Sequence, residues 1–139
     1  MRTKAMVNLI YTNNWMQEII KKRMKTYDIT LQQYNVLRIL RGAGAPISTS
    51  TIRERMLDKM CDASRMVCRL HARGWVNRCV CEFDKRLVDI SLTDEGQNLL
   101  DKIDADKDDL EHILSNLTEE EATVLSDLLD KARAKANKH

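Results

Sequence analysis

A chain of 139 residues with 43% hydrophobic and 32% charged side chains fits one folded domain and is too apolar for a disordered tail. No apolar run approaches the ~18–20 residues of a membrane span. The basic start Met1–Lys4 runs into Asn8, Thr12, Asn13 and Asn14 where a signal peptide would carry its apolar core, so a cytoplasmic protein is expected. The net charge of +2 conceals an asymmetry: residues 1–27 carry six basic and one acidic side chain, 28–92 eleven and seven, 93–139 six and thirteen. A basic front and an acidic back fit one face toward a polyanion and another toward solvent or a partner.

With one Pro and four Gly, the chain favours long helices. Ala5–Tyr27 reads as the first, with Met6, Leu9, Ile10, Trp15, Met16, Ile19, Ile20 and Met24 mostly at spacings of three and four. Thr30 and Gln33 form a capping box for a second helix, which Gly42, Gly44 and Pro46 end. A short third helix starts near Ser48, capped by Ser48, Thr49 or Ser50. A fourth runs from about Cys61 to Arg73 and stops at Gly74, with Ala63, Met66, Val67 and Leu70 on one face. The period then shortens to two: Trp75–Cys81 and Leu87–Leu92 read as strands joined by the charged tip 82–86. Thr93 caps a long helix predicted over 93–115. Thr118 and Glu121 cap the last, over 118–136. The order is ααααββαα, mainly α with a small β-wing.

Two short helices followed by a tight β-hairpin form the pattern of a winged helix-turn-helix, here 28–92, whose second helix lies in the DNA major groove. With Ala63, Met66, Val67 and Leu70 turned inward, the outer stripe of that helix is Cys61, Ser64, Arg65, Cys68 and Arg69. Paired donors of Arg65 and Arg69 suit guanine O6 and N7, and Ser64 suits a base or phosphate. Asp62, at the helix start, is expected to cap it. Lys85 and Arg86 at the hairpin tip are placed for the adjacent minor groove or its phosphates, with Asp84 orienting an arginine.

Five segments, taken together in order and spacing, resemble the MarR family of bacterial transcription regulators. They are Leu31–Leu37, Pro46–Ser48, Ser64–Leu70, Gly74–Arg78, and Asp84-Lys85-Arg86 leading into Leu92–Gly96. The resemblance is strong over about 30–100. It implies a homodimer in which an N-terminal helix (1–27) and C-terminal helices (93–139) of two subunits interleave. It also implies that two recognition helices and two wings straddle a pseudo-palindromic operator in double-stranded DNA. Ser48 and Arg78 then join Ser64, Arg65, Arg69, Lys85 and Arg86 in the DNA-contacting set. Such regulators usually repress, and release DNA on binding a small phenolic or other aromatic molecule, or on oxidation of a cysteine.

Tyr11, Trp15 and Tyr34 are candidates to line such an effector pocket, against ordinary core and interface packing. Cys61 and Cys68 are candidates for a redox signal, because they share the DNA-facing stripe with two arginines. Against that, oxidant-sensing members of the family tend to carry the reactive cysteine in the first helix, where this chain has none. Seven residues apart on one helix, these two sulfurs stand about 10 Å apart along its axis, too far for a single zinc, so no metal or other cofactor is expected. No nucleotide loop, Ser/Cys–His arrangement or metal-ligand spacing points to an enzyme. A non-sequence-specific DNA binder is the remaining alternative. The concentration of arginine on one helix face and the hairpin tip favours sequence reading over it.

Overall fold

A computed structural model describes residues 1–56, 62–80, 88–106 and 112–136. The elements are α1 (Arg2–Lys25), α2 (Leu31–Ala43), β1 (Ile47–Ser48), α3 (Thr49–Arg55), α4 (Ala63–Ala72), β2 (Val76–Val80), β3 (Val88–Leu92) and α5 (Asp94–Ala105). A 3-10 turn (His112–Leu114) and α6 (Glu119–Ala136) follow. The chain divides into two compact units, Met1–Ala105 and Asp106–His139.

Local chemistry sets the helix boundaries. Thr30 Oγ1 accepts from the Gln33 amide while Gln33 Oε1 accepts from the Thr30 amide, each at 3.1 Å, so the predicted capping box starts α2. Gly44, in the left-handed region at φ 65°, ends it. Ser48 caps α3 by accepting from Thr51 N at 3.1 Å. Asp62 caps α4 by accepting from Arg65 N at 3.1 Å. Helix α4 closes in a Schellman motif: Gly74 has φ 78°, its amide donates to His71 O, and the Trp75 amide donates to Leu70 O.

Three boundaries differ from the sequence expectation. Helix α1 begins at Arg2 and ends at Lys25, after which the Tyr27 and Asp28 amides bond back in turns. The strand β1 was not expected, since two residues are too short to show a period of two. The helix predicted over 93–115 ends at Ala105, and Asp106 is already in a turn. Asp101, Asp104 and Asp106 explain the stop: aspartate is a weak helix former, and negative charge opposes the dipole at a C-terminus.

The strands form a three-stranded antiparallel sheet in the order β1-β3-β2, with Ile47 opposite Ile90 and Arg78 opposite Ile90 on the other side. The core of the first unit holds Leu37, Ile52, Leu70, Val76, Ile90 and Leu100, all essentially inaccessible to solvent. Helix α2 runs through its centre and packs against α1, α3, α4, β3 and α5. Helix α1 buries only Met24. It leaves Met6, Val7, Leu9, Ile10, Tyr11 and Trp15 exposed.

In the second unit, Thr118 and Glu121 form the predicted capping box of α6. The hydrogen bonds from Thr118 hold the Glu121 carboxylate below its ordinary pKa. Val124 and Leu128 on this helix are exposed. No helix among the described residues is long and apolar enough to cross a membrane.

Candidate nucleic-acid interface

Helix α4 presents a sharply divided surface. Ala63, Val67 and Leu70 are buried against α3 and the sheet. Ser64, Arg65, Cys68 and Arg69 are exposed. The division follows from helical spacing, since positions three and four apart share a face. The acid beside this stripe, Asp62, is engaged as the N-cap, so its charge lies against the positive end of the helix. Among the described residues no carboxylate takes up the donors of the Arg65 or the Arg69 guanidinium group.

Ser48, Ser64 and Arg78 meet, although 30 residues of sequence separate the first from the last. They line one open cavity of about 230 Å³ together with Thr49, Ser50, Val67, Cys68 and Val88. The Ser48 hydroxyl is partly spent there, bonded to the Thr51 amide and lying 2.9 Å from the Thr51 hydroxyl. Arg78 is exposed on β2 and flanks the outer side of α4. A hydroxyl-rich rim with one guanidinium beside a helix carrying two more is chemistry for phosphate and base edges. Asp84, Lys85, Arg86 and Cys61 lie outside the described residues.

Cys68 and Cys79 are both free and exposed. They face different ways: Arg78 shares the cavity with Cys68, and the strand pleat turns Cys79 to the opposite face of β2. Among the described residues no group of three or more His, Cys, Asp or Glu is placed to hold a metal.

The aromatic candidates do not converge. Tyr11 is 73% and Trp15 44% exposed on α1. Tyr34 is buried on α2, where desolvation raises its pKa and the Arg38 guanidinium lies over the ring at 5.7 Å. Tyr11 and Trp15, four residues apart, lie on an outward face of α1, whereas Tyr34 lies within reach of the Asp104 charge on α5. The large groove between α1 and α2, about 600 Å³, is lined by other residues. Met16, Ile20, Leu31 and Met56 supply its apolar surface, and Asn13, Gln17, Lys21, Gln32 and Asn35 its polar groups.

Sequence reasoning missed the cluster at the end of α4. The Arg73 guanidinium donates to the Asp28 carbonyl and, at 3.2 Å, to the Asp28 carboxylate, while stacking 3.9 Å above the Trp75 ring. The Thr93 hydroxyl donates to Gly74 O at 2.7 Å and accepts from the Gly96 amide at 3.0 Å. Gly96 is buried so tightly against the Trp75 carbonyl that a Cβ there would overlap it. The signal was partial: Gly74 and Gly96 flank this cluster in sequence, but Asp28 lies 45 residues from Arg73.

No family model matches the chain. The HTH-type transcriptional regulator PecS of Dickeya dadantii is 34% identical over 115 residues, covering 81% of this chain and 69% of that protein. The multiple antibiotic resistance protein MarR of Salmonella typhimurium is 29% identical, covering 88% and 87%. Among solved structures, a cysteine-to-serine mutant of E. coli MarR complexed with operator DNA superposes with a TM-score of 0.78. It is 28% identical, covering 92% of this chain and 93% of that one.

Proposed function

The chain belongs to the MarR family of DNA-binding transcription regulators, and we propose that it is a repressor that grips a pseudo-palindromic operator as a homodimer. Each α4 enters a major groove, where Arg65 and Arg69 read bases and Ser64 seats the helix. Arg78 and Ser48 flank it on the phosphates, and Lys85 and Arg86 of the wing reach the adjacent minor groove. The observation that carries this reading is the exposed Ser64-Arg65-Cys68-Arg69 face, beside which Asp62 is held in the cap. The operator-bound E. coli MarR supports the same use of the fold.

Dimerisation is supported by the apolar residues left in water on two helices. Met6, Leu9, Ile10 and Trp15 on α1 and Val124 and Leu128 on α6 are each more than two-fifths exposed. A small aromatic effector is proposed to enter the groove between α1 and α2, whose methionines adapt to flat ligands, and to release the DNA. A redox signal at Cys68 is the second reading, supported by the exposure of that thiol on the DNA-facing stripe.

The test is the affinity for the protected segment upstream of its own gene, mapped by footprinting, against random duplex at one salt concentration. A preference of ~10³-fold or more is expected of a specific regulator. A ratio near one would overturn operator recognition. Transcription from that promoter in vitro separates repression from activation.

A further inference from the structure

At the C-terminus of the recognition helix, three residues join elements distant in sequence. Arg73 is the C-cap residue of α4 and basic, so its position alone invites assignment as one more phosphate contact. Its geometry argues otherwise. Both terminal nitrogens are engaged by Asp28, one on the main-chain carbonyl and one on the carboxylate, and the flat face lies on the Trp75 indole. Asp28 itself sits at φ 55°, the one non-glycine residue at positive φ among the described residues. Such a backbone persists when its surroundings hold it, and Arg73 supplies a donor to its carbonyl. The opposite side of the same turn is fastened to α5: Thr93 bonds the Gly74 carbonyl, and Gly96 packs on the Trp75 carbonyl.

We propose that Arg73 is a positioning residue and not a DNA contact: it ties the recognition helix to the turn leaving α1, so that α1 and α5 together set the angle at which α4 is presented. Because α1 and α5 belong to the segments assigned above to dimerisation, the tie converts the arrangement of the two subunits into the spacing of their recognition helices. The inference rests on the operator-binding dimer of the preceding section. It adds to that reading the link through which a change at α1 reaches the DNA. An exposed ion pair alone would be a weak link, and the Asp28 side chain is 95% exposed. The carbonyl hydrogen bond and the stacking on Trp75 give the contact its direction.

The test uses the full-length protein with Arg73→Ala, Arg73→Lys and Asp28→Ala. Two quantities are read: the slope of log affinity against log salt on the operator, and the affinity for operators with one base pair added or removed between half-sites. Wild type should discriminate sharply among the spacings. Arg73→Ala should lose fivefold or more on the native spacing, accept the altered spacings nearly as well, and keep the wild-type salt slope. Arg73→Lys, which lacks the flat two-pronged group, should resemble it. Asp28→Ala, losing only the carboxylate, should show a smaller change of the same kind.

A salt slope lower by about two, ~0.9 for the phosphate lost in each of the two subunits, with spacing preference intact would make Arg73 a phosphate contact and overturn the proposal. So would a change in melting temperature alone. If Arg73→Ala does not fold, the spacing profiles of Arg73→Lys and Asp28→Ala decide, and wild-type profiles in both would refute the tie. Absence of any operator preference in the wild type would instead refute the operator-binding reading itself.

Discussion

Arg65 and Arg69 stand one helical turn apart on an exposed face, free of carboxylate partners among the described residues. A guanidinium in that setting is worth most when it meets two acceptors on one base. Replacement of either by Ala should therefore cost ~1–3 kcal/mol on the cognate operator and relax preference at one base pair per half-site. Affinities measured across a set of single-base operator variants check this, and a uniform loss across all variants would reassign the residue to phosphate. Arg86→Ala, at the wing, should show that uniform loss. Cys68 is tested on the same stripe: the redox reading requires peroxide to weaken binding by wild type and to leave Cys68→Ser unaffected. The face of α4 was legible in the sequence because burial repeats with the helical period. The shared cavity of Ser48 and Arg78, and the contact of Arg73 with Asp28, were not, because they depend on how elements pack and leave no periodic trace.

Elements place these residues through a few backbone positions, and glycine substitutions separate two kinds. Gly96 lies in α5 with no room for a Cβ between the Trp75 carbonyl and the Leu92 side chain. Gly96→Ala should destabilise by ~1–3 kcal/mol or more, because backbone must move to admit the methyl group. Gly42 lies in the last turns of α2 with nothing within 4 Å of where a Cβ would sit. Gly42→Ala should stabilise by ~0.4–1 kcal/mol by restricting the unfolded chain. Urea unfolding of both variants checks the pair, and equal effects would mean that the packing at Trp75 is not tight. Asp62→Asn makes a third case. Asparagine caps as well as aspartate, so stability should hold while loss of one negative charge beside the DNA tightens binding at low salt. Caps at Thr30, Asp62, Thr93 and Thr118 could be read from the sequence since capping is local chemistry, whereas for α3 the sequence left Ser48, Thr49 and Ser50 open and the structure selects Ser48. The end of α5 at Ala105 went unread, because a continuing apolar spacing masked the weight of three aspartates.

At the scale of the whole molecule, the question is why long apolar faces remain in water. An α1 that buries only Met24 and an α6 with Val124 and Leu128 exposed are unfavourable surfaces for a monomer. In the proposed homodimer a second copy would remove that surface from water and double the proposed DNA-reading face by symmetry. Substituting Asp for Ile10 on α1 or Leu128 on α6 should then raise the dimer dissociation constant. Sedimentation at micromolar protein would report the monomer. DNA binding should weaken in parallel, since two linked α4 helices gain from effective concentration and a single one does not. The salt dependence gives an independent reading of the same symmetry. A dimer that engages equal sets of phosphates at two half-sites should show on an isolated half-site about half the salt slope found on the full operator, because each neutralised phosphate contributes ~0.9 to it. An unchanged slope on the half-site, with wild-type affinity, would place all the electrostatic contacts on one subunit and remove the reason for a symmetric assembly.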